Sequence, residues 1–187
     1  MENKRFDNPQ KALLVIDIQE DYTGALAKPP FPYKDSERLI TTVNKLIEDA
    51  SKKDIMVVYI RQEFDGFVGR TISKLFGHGT AIKGSLGTEF DKRINIISDH
   101  CFTKSSPDAF TNPKLEVFLN EHQINELYLV GLDAAACIYF TAKGALKRGY
   151  SVSIIKDGIV LLTEKKWDSL LEKFKHNGIT LINNQEF

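Results

Sequence analysis

Residues 126–157 read ELYLVGLDAAACIYFTAKGALKRGYSVSIIKD, and their order decides the fold. The run 126–132 is short and apolar, rich in Leu, Val and Tyr, and turns at Gly131, as a buried strand does. Ala135, Ile138, Ala142, Ala145 and Gly149 then recur at helical spacing, which predicts a helix over 134–148. Their small side chains let that helix lie close to a sheet. Residues 152–155 return to a strand, and strand, helix, strand in this order make a right-handed crossover unit.

The same alternation extends in both directions. Residues 11–18 are a near-continuous apolar run carrying Asp17 at its end, and residues 55–60, IMVVYI, are a second buried strand. Between them, after a loop containing Pro29, Pro30 and Pro32, the positions Leu39, Ile40, Val43, Leu46, Ile47 and Ala50 mark one face of a helix, with Ser36 placed as its cap. The glycine-containing stretch 61–94 reads as a long excursion with one short helix. Residues 96–102 form a weaker strand, interrupted by Ser98, Asp99 and His100, that delivers Lys104 just past its end. Asn112 caps a helix that starts on Pro113. Thr163 caps another, with Trp167, Leu170, Leu171 and Phe174 on one face, and 179–182 is a short last strand. The expected fold is α/β: a three-layer α/β/α Rossmann-like sandwich around a mainly parallel six-stranded sheet of order 3-2-1-4-5-6, one domain over residues 1–187.

Composition limits the function. A chain of 187 residues, 42% hydrophobic, can bury one sizeable core. Its 25 basic and 25 acidic side chains cancel, so no overall field draws it to nucleic acid or to an anionic membrane, and a small-molecule substrate is expected. Residues 1–10 are polar and mixed in charge, unlike a secretory signal, and no apolar run reaches the ~20 residues a spanning helix needs. A cytoplasmic protein is expected. Two cysteines, Cys101 and Cys137, are too few for a disulfide framework and leave a thiol free for chemistry. Cys101, inside the third strand, reads as core.

In open parallel sheets ligands bind beyond the carboxyl ends of the strands, where Asp17, Lys104 and Cys137 fall. A thiol in a helix's first turn feels the positive end of the helix dipole, and a Lys104 ammonium beside it favours the thiolate further. When sulfur adds to a carbonyl, the N–H groups of Asp133 and Cys137 can receive the oxyanion. Asp17 can take the thiol proton, give it to the leaving amine and later activate water. Each residue also has a plainer reading. A cysteine after three alanines packs, an aspartate at a strand end caps a loop, and a lysine beside Ser105 and Ser106 is solvated.

Three segments carry a resemblance. LLVIDIQEDY (13–22), FTKSSPDAFTNPKLEVFL (102–119) and the opening segment, through Gly131, Cys137, Thr141, Ala142, Ala145, Gly149, Tyr150 and Asp157, resemble the isochorismatase-like cysteine hydrolases over residues 11–182. The resemblance implies Asp17, Lys104 and Cys137 as a catalytic triad. It implies a hydrolase that cleaves a C–N bond (amide, ureido or lactam) of a small molecule through a thioester. It also implies a non-proline cis peptide at Leu132–Asp133 and a homodimer or larger homo-oligomer. True isochorismatases lack the nucleophilic cysteine, which places this chain with the amidohydrolases. Nicotinamidases carry a metal-binding Asp-x-His after the second strand, where this chain has Arg61, Gln62, Glu63 and Phe64, so the non-nicotinamidase branch is implied, with no metal and no other cofactor. His78, His100, His122 and His176 show no ligand spacing and read as surface or loop residues. Tyr22, Gln62, Glu63, Phe110 and Ile138 are candidate substrate contacts. Asp133 either caps the helix or reaches the substrate. The family's turn often has Thr and then a polar residue near the cysteine, whereas Asp133 is followed here by three alanines. A catalytically silent member binding a small molecule or a protein partner is therefore the alternative.

Overall fold

Strands β1 (Gln10–Ile16), β2 (Met56–Gln62), β3 (Cys101–Lys104), β4 (Ile124–Gly131), β5 (Ser151–Ile159) and β6 (Thr180–Ile182) pair side by side, every pair parallel, in the order β3-β2-β1-β4-β5-β6. The computed structural model describes residues 10–29, 31 and 33–187. Residues 1–9, read for a signal, and Pro30 and Pro32 of the proline-containing loop lie outside these. Strand β1 is central, between β2 and β4. That position explains its unbroken apolar sequence, since both faces are covered and Ala12 to Ile16 are at most 1% exposed.

Helix α1 (Ser36–Lys52) covers one face, and α3 (Pro113–Glu121), α4 (Tyr139–Lys147) and α5 (Trp167–His176) cover the other. Alternate residues of β1 supply the two cores. Leu13 and Val15 pack with Leu39, Val43, Leu46 and Ile47 of α1. Ala12, Leu14 and Ile16 pack with Leu115 and Leu119 of α3, Ala142 and Ala145 of α4, and Leu170 and Phe174 of α5. The three-layer sandwich is thus the expected one. Helix α2 (Gly66–Phe76) and a 3-10 turn (Leu86–Thr88) lie in the excursion after β2. Among the described residues no helix is long and apolar enough to cross a membrane.

Several local expectations change. The third strand is four residues long and begins only at Cys101. Ahead of it, side chains replace the ladder: Tyr59 Oη donates to Asn95 O and accepts from Ile97 N, and Ser98 Oγ donates to Val57 O. Because β3 is an edge strand, Cys101 is exposed and is not a core residue. Lys104 is the last residue of β3, not the first beyond it. Ser36 is the first residue of α1, and Asp35 holds the cap position with no side-chain bond. Asn112 caps α3 as expected, accepting from Lys114 N with Pro113 in the first turn. The helix expected over 134–148 is divided: a π-helical turn, Ala134–Ile138, precedes α4. Gly149, exposed at a φ of 86°, follows the end of α4 and is not part of its buried face.

Candidate active site

The ends of three strands, β1, β4 and β3, build the site, with β2 lying between β3 and β1. Beyond β1 the chain turns sharply, with Asp17 in the left-handed region at a φ of 58° and its N–H donating to Ile60 O of β2 at 2.9 Å. Aspartate is among the few side chains that tolerate this conformation, and here it leaves the carboxylate 3% exposed at the edge of the sheet. At the end of β4, Gly131 adopts a φ of 117°, and a Cβ there would meet Ile16 O at 2.0 Å. Only glycine lets β4 approach β1 so closely. The Leu132–Asp133 peptide is cis, and the next turn carries Cys137.

Lys104 joins the three ends. Its ammonium lies 2.8 Å from Asp17 Oδ2, 3.2 Å from Cys137 Sγ and 2.5 Å from Gln62 Oε1. An ammonium has three hydrogens, and these acceptors take all of them. Burial by itself lowers the pKa of Lys104, but the neighbouring Asp17 and Cys137 outweigh it and hold the group above its ordinary value. Lys104 is therefore a fixed cation.

Cys137 behaves differently from expectation. Burial pushes its thiol up, the Asp17 carboxylate adds to the rise, and Lys104 opposes it, leaving the thiol pushed up to about 12. Lys104 acts on the thiol in the expected direction, and burial together with the Asp17 charge outweighs it. The sequence signal for a cation was correct, but the sulfur sits against the apolar cluster beneath α4, and desolvation is the larger effect.

The turn before the sulfur is held by Asp133. Its Oδ1 accepts from Ala135 N at 2.8 Å, and its Oδ2 accepts from Leu162 N at 2.7 Å and from Tyr33 Oη at 3.3 Å. Both carboxylate oxygens are engaged, as in a cap. Ala134 N donates to Val160 O, while Ala136 N and Ile138 N both donate to Asp133 O. The N–H groups nominated for the oxyanion, those of Asp133 and Cys137, are not among these engaged amides.

Two further groups escaped sequence reasoning. Gln19, fully buried, donates through Nε2 to Gln62 O and Thr88 O and accepts at Oε1 from Gln62 N, tying the tail of β1 to the end of β2. Its signal lay in the LLVIDIQEDY segment, where a glutamine after a buried run has no solvent to satisfy it. Tyr33 is the second. It and Tyr22 are buried, with Phe31 edge-on to Tyr22 at 4.9 Å and stacked with Tyr33 at 5.7 Å. Burial raises both phenols, and the charges of Asp17 for Tyr22, of Asp133 for Tyr33 and of Cys137 for both raise them further. Two aromatics within residues 31–33 of a proline-containing loop were the available signal.

The remaining candidates are dispersed. Glu63 lines a hollow of about 310 Å³ whose walls include Lys104, Thr103 and Asn112. Phe110 is buried against Tyr150, at 5.6 Å, and the Arg148 guanidinium, at 4.8 Å, and Ile138 lies in the core below the turn. A larger hollow of about 660 Å³ lies beside Asp133, lined by Tyr33, Arg38, Val160, Leu162 and Trp167, and its walls do not include Asp17, Lys104 or Cys137. Among the described residues no group of three or more His, Cys, Asp or Glu side chains is arranged to hold a metal ion. His78, His122 and His176 are exposed and His100 is half-buried.

The chain is similar to known proteins over most of its length. The family model described as "Isochorismatase domain" matches residues 11–186. The nicotinamidase of Escherichia coli strain K12 is 24% identical over 186 residues, covering 80% of this chain and 83% of its own. The N-carbamoylsarcosine amidase of an Arthrobacter species is 26% identical over 153 residues, covering 76% of this chain and 58% of its own. Among solved structures, an isochorismatase-like hydrolase from Alkaliphilus metalliredigens superposes with a TM-score of 0.81 at 25% identity, covering 95% of this chain and 96% of that one.

Proposed function

This chain belongs to the isochorismatase family, and from that premise we propose that it is a cysteine-dependent amidohydrolase cleaving a C–N bond of a small molecule through a thioester. The observation that carries the reading is the Lys104 ammonium bridging Asp17 and Cys137 at 2.8 and 3.2 Å. A nicotinamidase and an amidase among the relatives support the choice of bond.

With the thiol pushed up to about 12, sulfur needs a base to become a nucleophile near neutral pH. Asp17 is that base: Oδ2 is held by Lys104, while Oδ1 is unengaged among the described residues. Lys104, already protonated, cannot take a proton; it holds Asp17 and the sulfur in register and lowers the cost of negative charge between them. As sulfur adds to the carbonyl, charge grows on oxygen, and the N–H groups of Asp133 and Cys137 receive it. Asp17 returns the proton to the departing nitrogen, which leaves as ammonia or an amine. Tyr22, which feels the Asp17 and Cys137 charges, and Glu63, which lines the hollow that Lys104 also lines, are the substrate contacts this reading keeps, while Phe110 and Ile138 are core residues.

A panel of primary carboxamides, ureido compounds and lactams, assayed for ammonia or amine release, tests the reading. Activity against at least one member should fall in proportion to iodoacetamide label on Cys137, and Cys137→Ala should fold and be inactive. An enzyme that keeps full turnover with Cys137 alkylated contradicts the covalent mechanism.

A further inference from the structure

Two buried polar atoms of the site have no hydrogen-bonding partner among the described residues, Asp17 Oδ1 and Gln62 Nε2. Their companion atoms, Asp17 Oδ2 and Gln62 Oε1, both bind Lys104 Nζ, at 2.8 and 2.5 Å. Because an ammonium has only donors, it fixes which end of the carboxamide is oxygen, and the atom left over is the NH2 donor. The backbone of Gln62 is clamped on both sides by Gln19, through Gln62 N to Gln19 Oε1 at 2.8 Å and Gln19 Nε2 to Gln62 O at 3.0 Å. Gln62 is 5% exposed, so its amide donor has no bulk solvent to satisfy it. It needs an acceptor.

The leftover pair is one acceptor and one donor, on two groups held by the same cation. A water molecule suits that pair. It gives one hydrogen to the carboxylate oxygen, accepts the carboxamide hydrogen on one lone pair, and keeps its second lone pair for attack. We propose that Gln62 and Asp17 together hold the water that resolves the thioester, a role that rests on the covalent reading above. The water oxygen bonds to the thioester carbonyl carbon while Asp17 Oδ1 takes its proton. The tetrahedral adduct then collapses, the C–S bond breaks, its electron pair goes to sulfur, and the proton on Asp17 follows. The acyl group leaves as a carboxylic acid, the thiol is restored, and Gln62 is unchanged. Its contribution is to deacylation and not to acylation.

The probe is p-nitrophenyl acetate, which releases nitrophenolate on acylation and leaves an acetyl thioester. Gln62→Met keeps the length of the side chain without its donor. It should lose far more from the steady state than from the first burst of nitrophenolate, accumulate acetyl on Cys137 by intact mass, and turn over about 100-fold more slowly. Hydroxylamine, which attacks a thioester without a base to activate it, should restore turnover. Gln62→Glu retains an oxygen for Lys104 but no N–H at neutral pH and should show the same block, which keeps the test decisive if the Met variant fails to fold. Equal loss of burst and steady state, no rescue by hydroxylamine, a higher KM at unchanged kcat, or normal deacylation in Gln62→Glu each overturns the proposal. The covalent reading is scored separately by Cys137→Ala, and ester hydrolysis retained in that variant overturns both.

Discussion

Asp17→Asn is expected to slow turnover by about 100- to 10,000-fold while making Cys137 easier to ionise. These effects oppose each other in an ordinary thiol enzyme, where a more acidic sulfur is a more reactive one. Here the Asp17 charge is the second cause, after burial, of the rise in the Cys137 thiol, so removing it lowers that pKa while Lys104 stays in place. The asparagine still offers Lys104 an oxygen but cannot carry a proton between sulfur, leaving nitrogen and water. The check is the pH dependence of iodoacetamide alkylation beside kcat. In the wild type the alkylation rate should keep climbing above pH 9.0, the ordinary thiol value, because the group is pushed up to about 12. In Asp17→Asn the same curve should level off at lower pH. An active Asp17→Asn enzyme, or one with an unshifted alkylation curve, removes Asp17 from the role of base.

Lys104→Met should act in the opposite sense on sulfur and also weaken the fold. It deletes the one influence of the pair that lowers the Cys137 thiol, so alkylation at a given pH becomes slower than in the wild type. It also strands the Asp17 carboxylate, 3% exposed, without its cation. Breaking a buried pair by removing one partner costs about 3–5 kcal/mol, read as a lower midpoint in urea. The pH window follows from the raised pKa of Lys104. Its contribution is fully present below the ordinary 10.5 and is lost as pH rises through the higher folded value, so the gap between wild type and variant should hold from pH 7 to about 10 and narrow above. A Met variant as stable as the wild type at pH 7 contradicts the ion pair's part in holding the strand ends together.

The centre of this fold was legible because burial on both faces leaves a plain trace. The runs 12–16, 56–60 and 127–131 carry no charged side chain, and Ala142 and Ala145 mark where a helix lies close to the sheet. The edge was less legible, because β3 has one neighbouring strand and side-chain bonds from Tyr59 and Ser98 substitute for part of its ladder, so Cys101 was misplaced in the core. At the site, strand-end logic brought Asp17, Lys104 and Cys137 to one place, and the three do converge. What the chain order did not reveal was depth. Whether a thiol near an ammonium ionises depends on how much apolar protein surrounds it, and the cluster beneath α4 is assembled from residues far apart in sequence. The same holds for Gln19 and Gln62, whose meaning lies in bonds to residues 42 to 69 positions away.

The most direct test of the account is rapid acid quenching of the wild-type enzyme during hydrolysis of an accepted amide, followed by intact mass and peptide mapping. The account predicts a transient mass increase equal to the substrate's acyl group, confined to the peptide holding Cys137 and removed by hydroxylamine. Steady turnover with no acyl adduct on Cys137 at any quench time, together with residual activity in Cys137→Ala, would contradict it.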